Sequence, residues 1–188
     1  MLKLNIIQPK VYTLFQMKSP MKVKVVIPLD LKGQKIVNQY RFQYDRPLLK
    51  LCEASVELIP SVQTFMNLKI LKEQLSPILQ GFKRFKVYFN AVEYGLNESS
   101  SLFFSMEESK HFTALKQQLS KLSIFEELGQ GDWCPHIPFC RVNDVEEAET
   151  IYGEVTERPI RHDFFASQIN LIMKDKEDVW EIVGEYPL

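Results

Sequence analysis

Alternation of apolar and polar residues predicts a core strand near the start of the chain. Residues 21–29 alternate at first, continue with β-branched residues and end beside a proline, as expected of a strand with one face more buried. Residues 51–58 also repeat with a period of two, with apolar residues on one side and Ser55 and Glu57 on the other. We therefore predict a second core strand there.

Apolar residues at helical spacing predict helices, and shorter apolar runs predict further strands. The first helix ends before a proline, which disfavours a helical residue ahead of it, and the third follows acidic residues and a capping serine. The predicted helices are 31–44, 68–79, 109–123 and 146–154. The further predicted strands are 82–89, 102–106, 136–142, 164–173 and 179–183, with a loop at 129–132. Helices and strands are mixed along the chain, which predicts an α+β fold.

Length and composition indicate one folded domain. The chain has 188 residues, of which 45% are hydrophobic and 25% charged, values ordinary for a globular protein. Residues 1–20 show neither a targeting pattern nor an apolar run that could span a membrane. Because a proline interrupts the chain just before the first strand, we expect 1–20 to be an added strand or tail and 21–188 to be the domain.

Charge and cysteine usage narrow the function and the location. Twenty-three basic residues face 24 acidic ones, for a net charge of -1, so any nucleic-acid role needs a local site and no membrane contact is expected. Three cysteines, Cys52, Cys134 and Cys140, do not form an even disulfide framework. We therefore expect reduced thiols in the cytoplasm, and we expect a monomer.

The common catalytic and metal-binding signatures are absent from the sequence. There is no glycine-rich phosphate loop, no nucleophile elbow and no zinc-protease motif. Cys134, His136 and Cys140 would lie along one strand at increasing separation, with no second pair of ligands. Buried thiols are the better interpretation, and we expect neither a metal nor another cofactor.

Three segments together resemble the two-histidine phosphoesterases, in the branch of the 2'-5' RNA ligase-like proteins. Residues 133–142 read WCPHIPFCRV, similar to the second signature, which has Pro-His, a hydrophobic residue, Thr or Ser, and often a nearby Arg. Residues 40–47 (YRFQYDRP) resemble the segment before the first signature, and 54–58 follow at the expected distance. The end of the chain, 165–188, resembles the terminal hairpin of that branch.

The resemblance implies a LigT-like fold, with two pseudo-symmetric lobes of antiparallel strands and outer helices around a central cleft. It also implies a site in which two His and two hydroxyl residues face each other from two strands. His136 keeps the second His. Ser55 and Glu57 stand where the first His and Thr are expected, and Pro138 stands at the second Thr. Three of the four signature positions therefore depart from the pattern.

The implied chemistry is metal-independent phosphodiester cleavage, with one His as base and the other as acid. Glu57 could replace the missing base, but its carboxylate would repel a phosphate, and Pro138 supplies no hydroxyl. We expect a family member that acts on or binds a 2',3'-cyclic phosphate, a 2'-5' oligonucleotide or a cyclic nucleotide, with impaired catalysis, so its status as an enzyme stays open. The alternative is a non-enzymatic nucleotide-binding or protein-interaction module. The expected partner is RNA or a nucleotide ligand.

Several other residues have two interpretations. Arg141 follows the second signature and is expected to bind ligand, and His162 either lines the cleft or is a solvated loop histidine. His111 spells the catalytic tripeptide with its neighbours, yet it lies in a predicted helix, so we interpret it as a coincidence. Basic residues at 83–86 alternate with aromatic ones, which suits a nucleic-acid strand or, more simply, an amphipathic strand.

Overall fold

A computed structural model describes residues 20–95, 100–107, 109–125, 134–157 and 160–188. The strands are β1 (Met21–Pro28), β2 (Ser55–Thr64), β3 (Phe85–Gly95), β4 (Ser101–Met106), β5 (His136–Arg141), β6 (His162–Ala166), β7 (Gln168–Lys174) and β8 (Trp180–Pro187). The helices are α1 (Leu31–Tyr44), α2 (Arg46–Leu51), α3 (Leu68–Leu79), α4 (Lys110–Leu119) and α5 (Val145–Thr156). No helix in these ranges is long and apolar enough to cross a membrane.

The eight strands form one antiparallel sheet in the order β6-β3-β4-β5-β2-β1-β7-β8. The order divides it into two four-stranded halves, which meet where β5 lies beside β2. Along this seam, the register of the described residues pairs Glu57 with His136. The predicted α+β fold of antiparallel strands and outer helices is therefore confirmed.

The period-two pattern of the strands places the hydrophobic core on one face of the sheet. On β2, Val56 and Leu58 are buried on the helix side, whereas Glu57 lies on the opposite face. Helix α1 packs its Tyr40 ring 5.3 Å from Phe104 and 5.6 Å from Phe139, measured between ring centroids. The face opposite the helices is left to form the site.

A buried arginine bridges the two halves of the sheet. The side chain of Arg41, on α1, is only 1% exposed. Its guanidinium donates to the Cys52 carbonyl at 2.8 Å and to the Pro138 carbonyl at 2.9 Å. Cys52 precedes β2 and Pro138 lies in β5, so Arg41 satisfies backbone acceptors on both sides of the seam. An unpaired buried acceptor would cost roughly 1–3 kcal/mol.

Most predicted elements are observed. The strand predicted at 82–89 is shifted to Phe85–Gly95, and two other strands differ more. The predicted strand at 51–58 begins later, because α2 occupies Arg46–Leu51, and β2 continues to Thr64. Asp45 caps α2 by accepting from the Leu48 amide, and its six residues are too short to show a helical period. Pro60 interrupts β2 where its register with β1 shifts, a position at which a missing amide is tolerated.

The single strand predicted at 164–173 is wrong. It is two strands, with β6 pairing with β3 and β7 pairing with β1. Phe164 and Ala166 are buried at even positions, whereas Ile169 and Leu171 are buried at odd positions. The chain leaves one half of the sheet at Ser167 and enters the other, and the inward-facing parity changes there. Residues 1–19 of the added strand or tail predicted at 1–20, and the predicted loop at 129–132, lie outside the described residues.

Candidate functional site

Three neighbouring strands bring a lysine, a glutamate and a histidine to one cavity at the seam of the sheet. Lys24 lies on β1, Glu57 on β2 and His136 on β5. All three line a cavity of about 600 Å³, which we call the central cleft, together with Pro138 and Trp180. The Lys24 ammonium donates to the Glu57 carboxylate, and Glu57 lies directly opposite His136.

Glu57 is a charged group in a largely buried place. Its side chain is 14% exposed and that of Lys24 is 7% exposed. Burial alone would raise the pKa of Glu57, but the charges of Lys24 and His136 and the hydrogen bond from Lys24 together lower it below its ordinary value. The cleft therefore carries a carboxylate that is already neutralised by an internal cation.

The ring of His136 is held in one orientation. Its Nδ1 lies 3.0 Å from the Cys134 carbonyl oxygen, and because a carbonyl only accepts, Nδ1 is the protonated nitrogen in this contact. The ring also packs against Phe103, with 4.7 Å between centroids. The contact with Cys134 therefore assigns the hydrogen of the neutral ring to Nδ1.

Ser55 is not grouped with His136. It is 7% exposed, and its hydroxyl donates to the Glu53 carbonyl at 3.4 Å. It lines a second cavity of about 400 Å³, which we call the side pocket and which shares Cys52 and Trp180 with the central cleft. Among the predicted site residues, Glu57, His136 and Arg141 line the central cleft, whereas Ser55 lines the adjoining side pocket.

Arg141 lines the central cleft, but its guanidinium is engaged in an ion pair with Asp45. Its Nε and Nη2 donate to the two carboxylate oxygens of Asp45, each at 2.7 Å, and its backbone amide donates to Asp45 at 3.1 Å. Burial would raise the pKa of Asp45, but the hydrogen bonds and charge of Arg141 bring it below its ordinary value. This bidentate pair fixes the end of β5 to the start of α2.

His162 does not line the central cleft. It is the first residue of β6 and is 7% exposed, so its interpretation as a solvated loop histidine was wrong. Its Nε2 donates to the Asp30 carboxylate at 2.7 Å, and its ring packs 5.5 Å from that of Phe89. Asp30 also caps α1. The apolar neighbours of His162 and its place in a strand explain why it is buried.

For His111 and for the basic residues at 83–86, the structure favours the structural interpretation. His111 lies in α4 with its ring stacked 4.8 Å from Phe85. On β3, Phe85 and Phe89 are buried whereas Lys86 and Tyr88 are exposed, the alternation of an amphipathic strand. Lys86 pairs with Asp163 at 2.9 Å.

The cysteines show no metal-binding arrangement in the part of the chain that the structure describes. No group of three or more His, Cys, Asp or Glu side chains is placed to hold a metal ion there. Cys52 is half-buried, Cys134 is exposed and Cys140 is buried. Burial is the main cause that raises the pKa of the Cys140 thiol to about 12, so this thiol remains protonated and unreactive at neutral pH.

Ion pairs occupy most cations of the central cleft. Its basic Lys and Arg residues are Lys22, Lys24, Arg141 and Lys174. Lys24 is paired with Glu57, Arg141 with Asp45, and Lys174 with Asp178 at 2.7 Å. The cleft is therefore basic in composition but largely neutralised in place.

Lys24 and Trp180 were missed as site residues by sequence reasoning. The Lys24 ammonium lies 4.7 Å from the Trp180 ring centroid, a cation–π contact across the cleft. The available signal for Lys24 was its place between Val23 and Val25, because alternation along a strand turns it to the face opposite the core. Trp180 gave no signal beyond its place in a predicted strand.

Comparison with known proteins identifies the fold. Neither a protein-family model nor a curated protein sequence matches this chain. Among solved structures, E. coli LigT in its apo form is 13% identical, with a TM-score of 0.59, over 91% of this chain and 99% of that one. E. coli LigT complexed with 3'-AMP is 12% identical, with a TM-score of 0.60 and the same coverage. A structure described as a phosphoesterase is 14% identical, with a TM-score of 0.59, over 90% and 99% of the two chains.

This chain has the LigT-like fold. The resemblance to the two-histidine phosphoesterases is thereby confirmed as a likeness of fold that covers nearly the whole chain. In the LigT-like fold of this chain, the seam of the sheet carries Glu57 opposite His136. The chemistry has to be argued from those side chains.

Proposed function

We propose that this protein binds the phosphate of a nucleotide or an RNA end in the central cleft and cleaves it slowly or not at all. The observation that carries the proposal is the Lys24–Glu57 ion pair opposite His136. Solved structures of E. coli LigT hold 3'-AMP, phosphate, NADP+ and ATP, which supports nucleotides as the ligand class.

Among the residues that the structure describes in the central cleft, His136 is the suitable proton-transfer group. With Nδ1 donating to the Cys134 carbonyl, the basic nitrogen of its neutral ring is Nε2. Ser55, which the resemblance aligns with the first signature His, lines the side pocket, and a serine hydroxyl is too weakly basic to take up a proton at neutral pH. Each positioned acid or base contributes about 10²–10⁴-fold to the rate. We therefore expect turnover to be slower by at least that factor than in a site with both signature histidines.

Glu57 is a poor substitute for the missing base. A general base works best with a pKa near the working pH, whereas the surroundings of Glu57 lower its pKa below the ordinary glutamate value. One carboxylate oxygen also accepts from Lys24. Glu57 is therefore a weakly basic, occupied carboxylate, which explains the proposed slow turnover.

Phosphate binding is expected to be weak because the ion pair with Glu57 engages the Lys24 ammonium. Lys24 is the natural partner of a phosphate beside His136, but Glu57 competes for it. Lys22 adds a further cation at the rim of the cleft. A phosphate can displace the Glu57 carboxylate from Lys24, or share the Lys24 ammonium with it, only at a cost in binding free energy.

Two substitutions with opposite expected effects test the proposal. Calorimetry with 3'-AMP and 2',3'-cyclic AMP would compare the parent with Lys24→Met, Glu57→Gln and the control Lys69→Met, which removes a lysine from the exposed surface of α3. We expect Lys24→Met to weaken binding by roughly tenfold or more, the size of a hydrogen bond to a charged group. Glu57→Gln should strengthen binding, because it releases Lys24, and Lys69→Met should change nothing.

The opposite pattern would contradict the proposal. Unchanged binding in Lys24→Met, or weaker binding in Glu57→Gln, would mean that the phosphate lies elsewhere. Absence of binding by either nucleotide and by inorganic phosphate would favour a protein-interaction module.

A further inference from the structure

The side pocket has the size and lining of a nucleobase site. We infer that it binds the base of the nucleotide whose phosphate occupies the central cleft, and that it favours adenine; this rests on the proposed function. The two cavities share Cys52 and Trp180, so one ligand can reach both. A volume of about 400 Å³ lies within the range of small-molecule sites.

The charges of the two cavities divide in the way that a nucleotide requires. The central cleft contains four Lys or Arg residues and two acidic ones. The charged residues that line the side pocket, Glu53 and Glu181, are both acidic. An anion would be repelled there, whereas a neutral base with an exocyclic amino group presents donors to acidic surroundings.

A buried asparagine provides the polar recognition group. Asn170 lines the side pocket and is 3% exposed. Its Oδ1 accepts from Gln168 Nε2 at 2.7 Å, which fixes the orientation of the amide and leaves Nδ2 as the donor for a ligand. The ring nitrogen N1 of adenine accepts such a bond, whereas N1 of hypoxanthine carries a hydrogen and cannot, and asparagine is a common partner of adenine in nucleic-acid recognition.

The apolar lining supplies surfaces for a flat ring. Val26, Ile172 and Ile182 line the pocket with Trp180. Trp180 also contacts Lys24 at 4.7 Å from its ring centroid. A base packed beside the indole would therefore carry its phosphate towards Lys24, which connects the two cavities through one side chain.

A matched pair of ligands tests the preference on the unmodified protein. 3'-AMP and 3'-IMP differ at the exocyclic position, where a carbonyl replaces the amino group of adenine, and at N1, which accepts a hydrogen bond in adenine and donates one in hypoxanthine. Calorimetry should find 3'-AMP at least about tenfold tighter, because one correctly paired base edge commonly gives this discrimination. Asn170→Ala should reduce that ratio while leaving the affinity for inorganic phosphate unchanged. Glu177→Gln, in the turn between β7 and β8 and outside both cavities, is the control.

The outcomes separate this inference from the proposed function. Equal affinities of 3'-AMP and 3'-IMP would overturn the adenine pocket, even where both bind and the phosphate proposal stands. Adenosine, which has no phosphate, is compared with inosine by ligand-observed NMR. A response from adenosine that exceeds that from inosine and is lost in Asn170→Ala supports the pocket even if phosphate binding fails. Where neither nucleotide binds, equal responses from adenosine and inosine would refute it.

Discussion

Replacing Lys24 by Met removes one partner of the buried ion pair and leaves the other in place. The two side chains are 7% and 14% exposed, so neither charge is well solvated. Breaking a buried pair from one side costs about 3–5 kcal/mol. Because Glu57 retains some solvent contact and has His136 nearby, we expect a loss at the lower end, about 3 kcal/mol of unfolding free energy.

The double variant Lys24→Met with Glu57→Gln distinguishes the cost of leaving a buried charge unpaired from the cost of replacing the lysine side chain. It removes both charges, and such replacements are often neutral, so we expect its stability to lie within ~1 kcal/mol of the parent. The two single substitutions should then be strongly non-additive, with a coupling energy of roughly 2 kcal/mol or more, as expected of residues in contact.

Urea denaturation at several pH values is the assay. The lowered pKa of Glu57 means that its contribution is fully present above the ordinary glutamate pKa and is lost as the pH falls through the folded-state pKa. The gap between the parent and Lys24→Met should therefore be largest at neutral pH and shrink below about pH 4.3. A loss under ~1 kcal/mol for Lys24→Met, or additive effects of the two changes, would refute the reasoning.

Three further substitutions test the supports of the cleft. Arg41→Leu should destabilise the fold by at least ~2 kcal/mol in urea denaturation, because it leaves buried carbonyls on both sides of the seam unpaired; a change below ~0.5 kcal/mol would contradict this role. Asp45→Asn keeps a helix cap but loses the charge that Arg141 holds, so it should cost about 1.5–3 kcal/mol at pH 7. That difference should fade as acid protonates the parent's Asp45, whose pKa is lowered; a pH-independent difference would argue against the pair. His162→Phe retains a ring beside its aromatic neighbours but loses the bond to Asp30, so a thermal melt should report a loss of ~1 kcal/mol, and unchanged stability would count against the bond.

The parts of the fold with a clear apolar period were predictable from the sequence. Helices α1 and α3 span the residues that their apolar faces indicate, 31–44 and 68–79. The period of two also separated Glu57 from the buried Val56 on its strand. Local periodicity determines which face of an element is buried, and that information is present within the element itself.

Pairings between distant segments were not predictable in this way. Arg141 and Asp45 are 96 residues apart, and the contact that occupies the arginine follows from packing β5 against the start of α2. Lys24 joins the site only because β1 lies beside β2 in the sheet. No feature within either segment indicates which strand lies beside it. The Lys24–Glu57 ion pair and the place of Trp180 between the two cavities could therefore be recognised only in the three-dimensional structure.

The most direct test of the account is turnover of 2',3'-cyclic AMP by the parent and by a variant with Ser55→His, Glu57→Thr and Pro138→Thr. The substitutions introduce the residue types of both signature pairs that the resemblance implies, with position 55 in the adjoining side pocket, and remove the carboxylate that engages Lys24. We predict that the parent binds the nucleotide with little or no turnover and that the folded triple variant gains about 10²-fold or more, the contribution of one acid or base. A parent that turns over at the rate of the triple variant, or a folded triple variant that binds without any gain, would contradict the account.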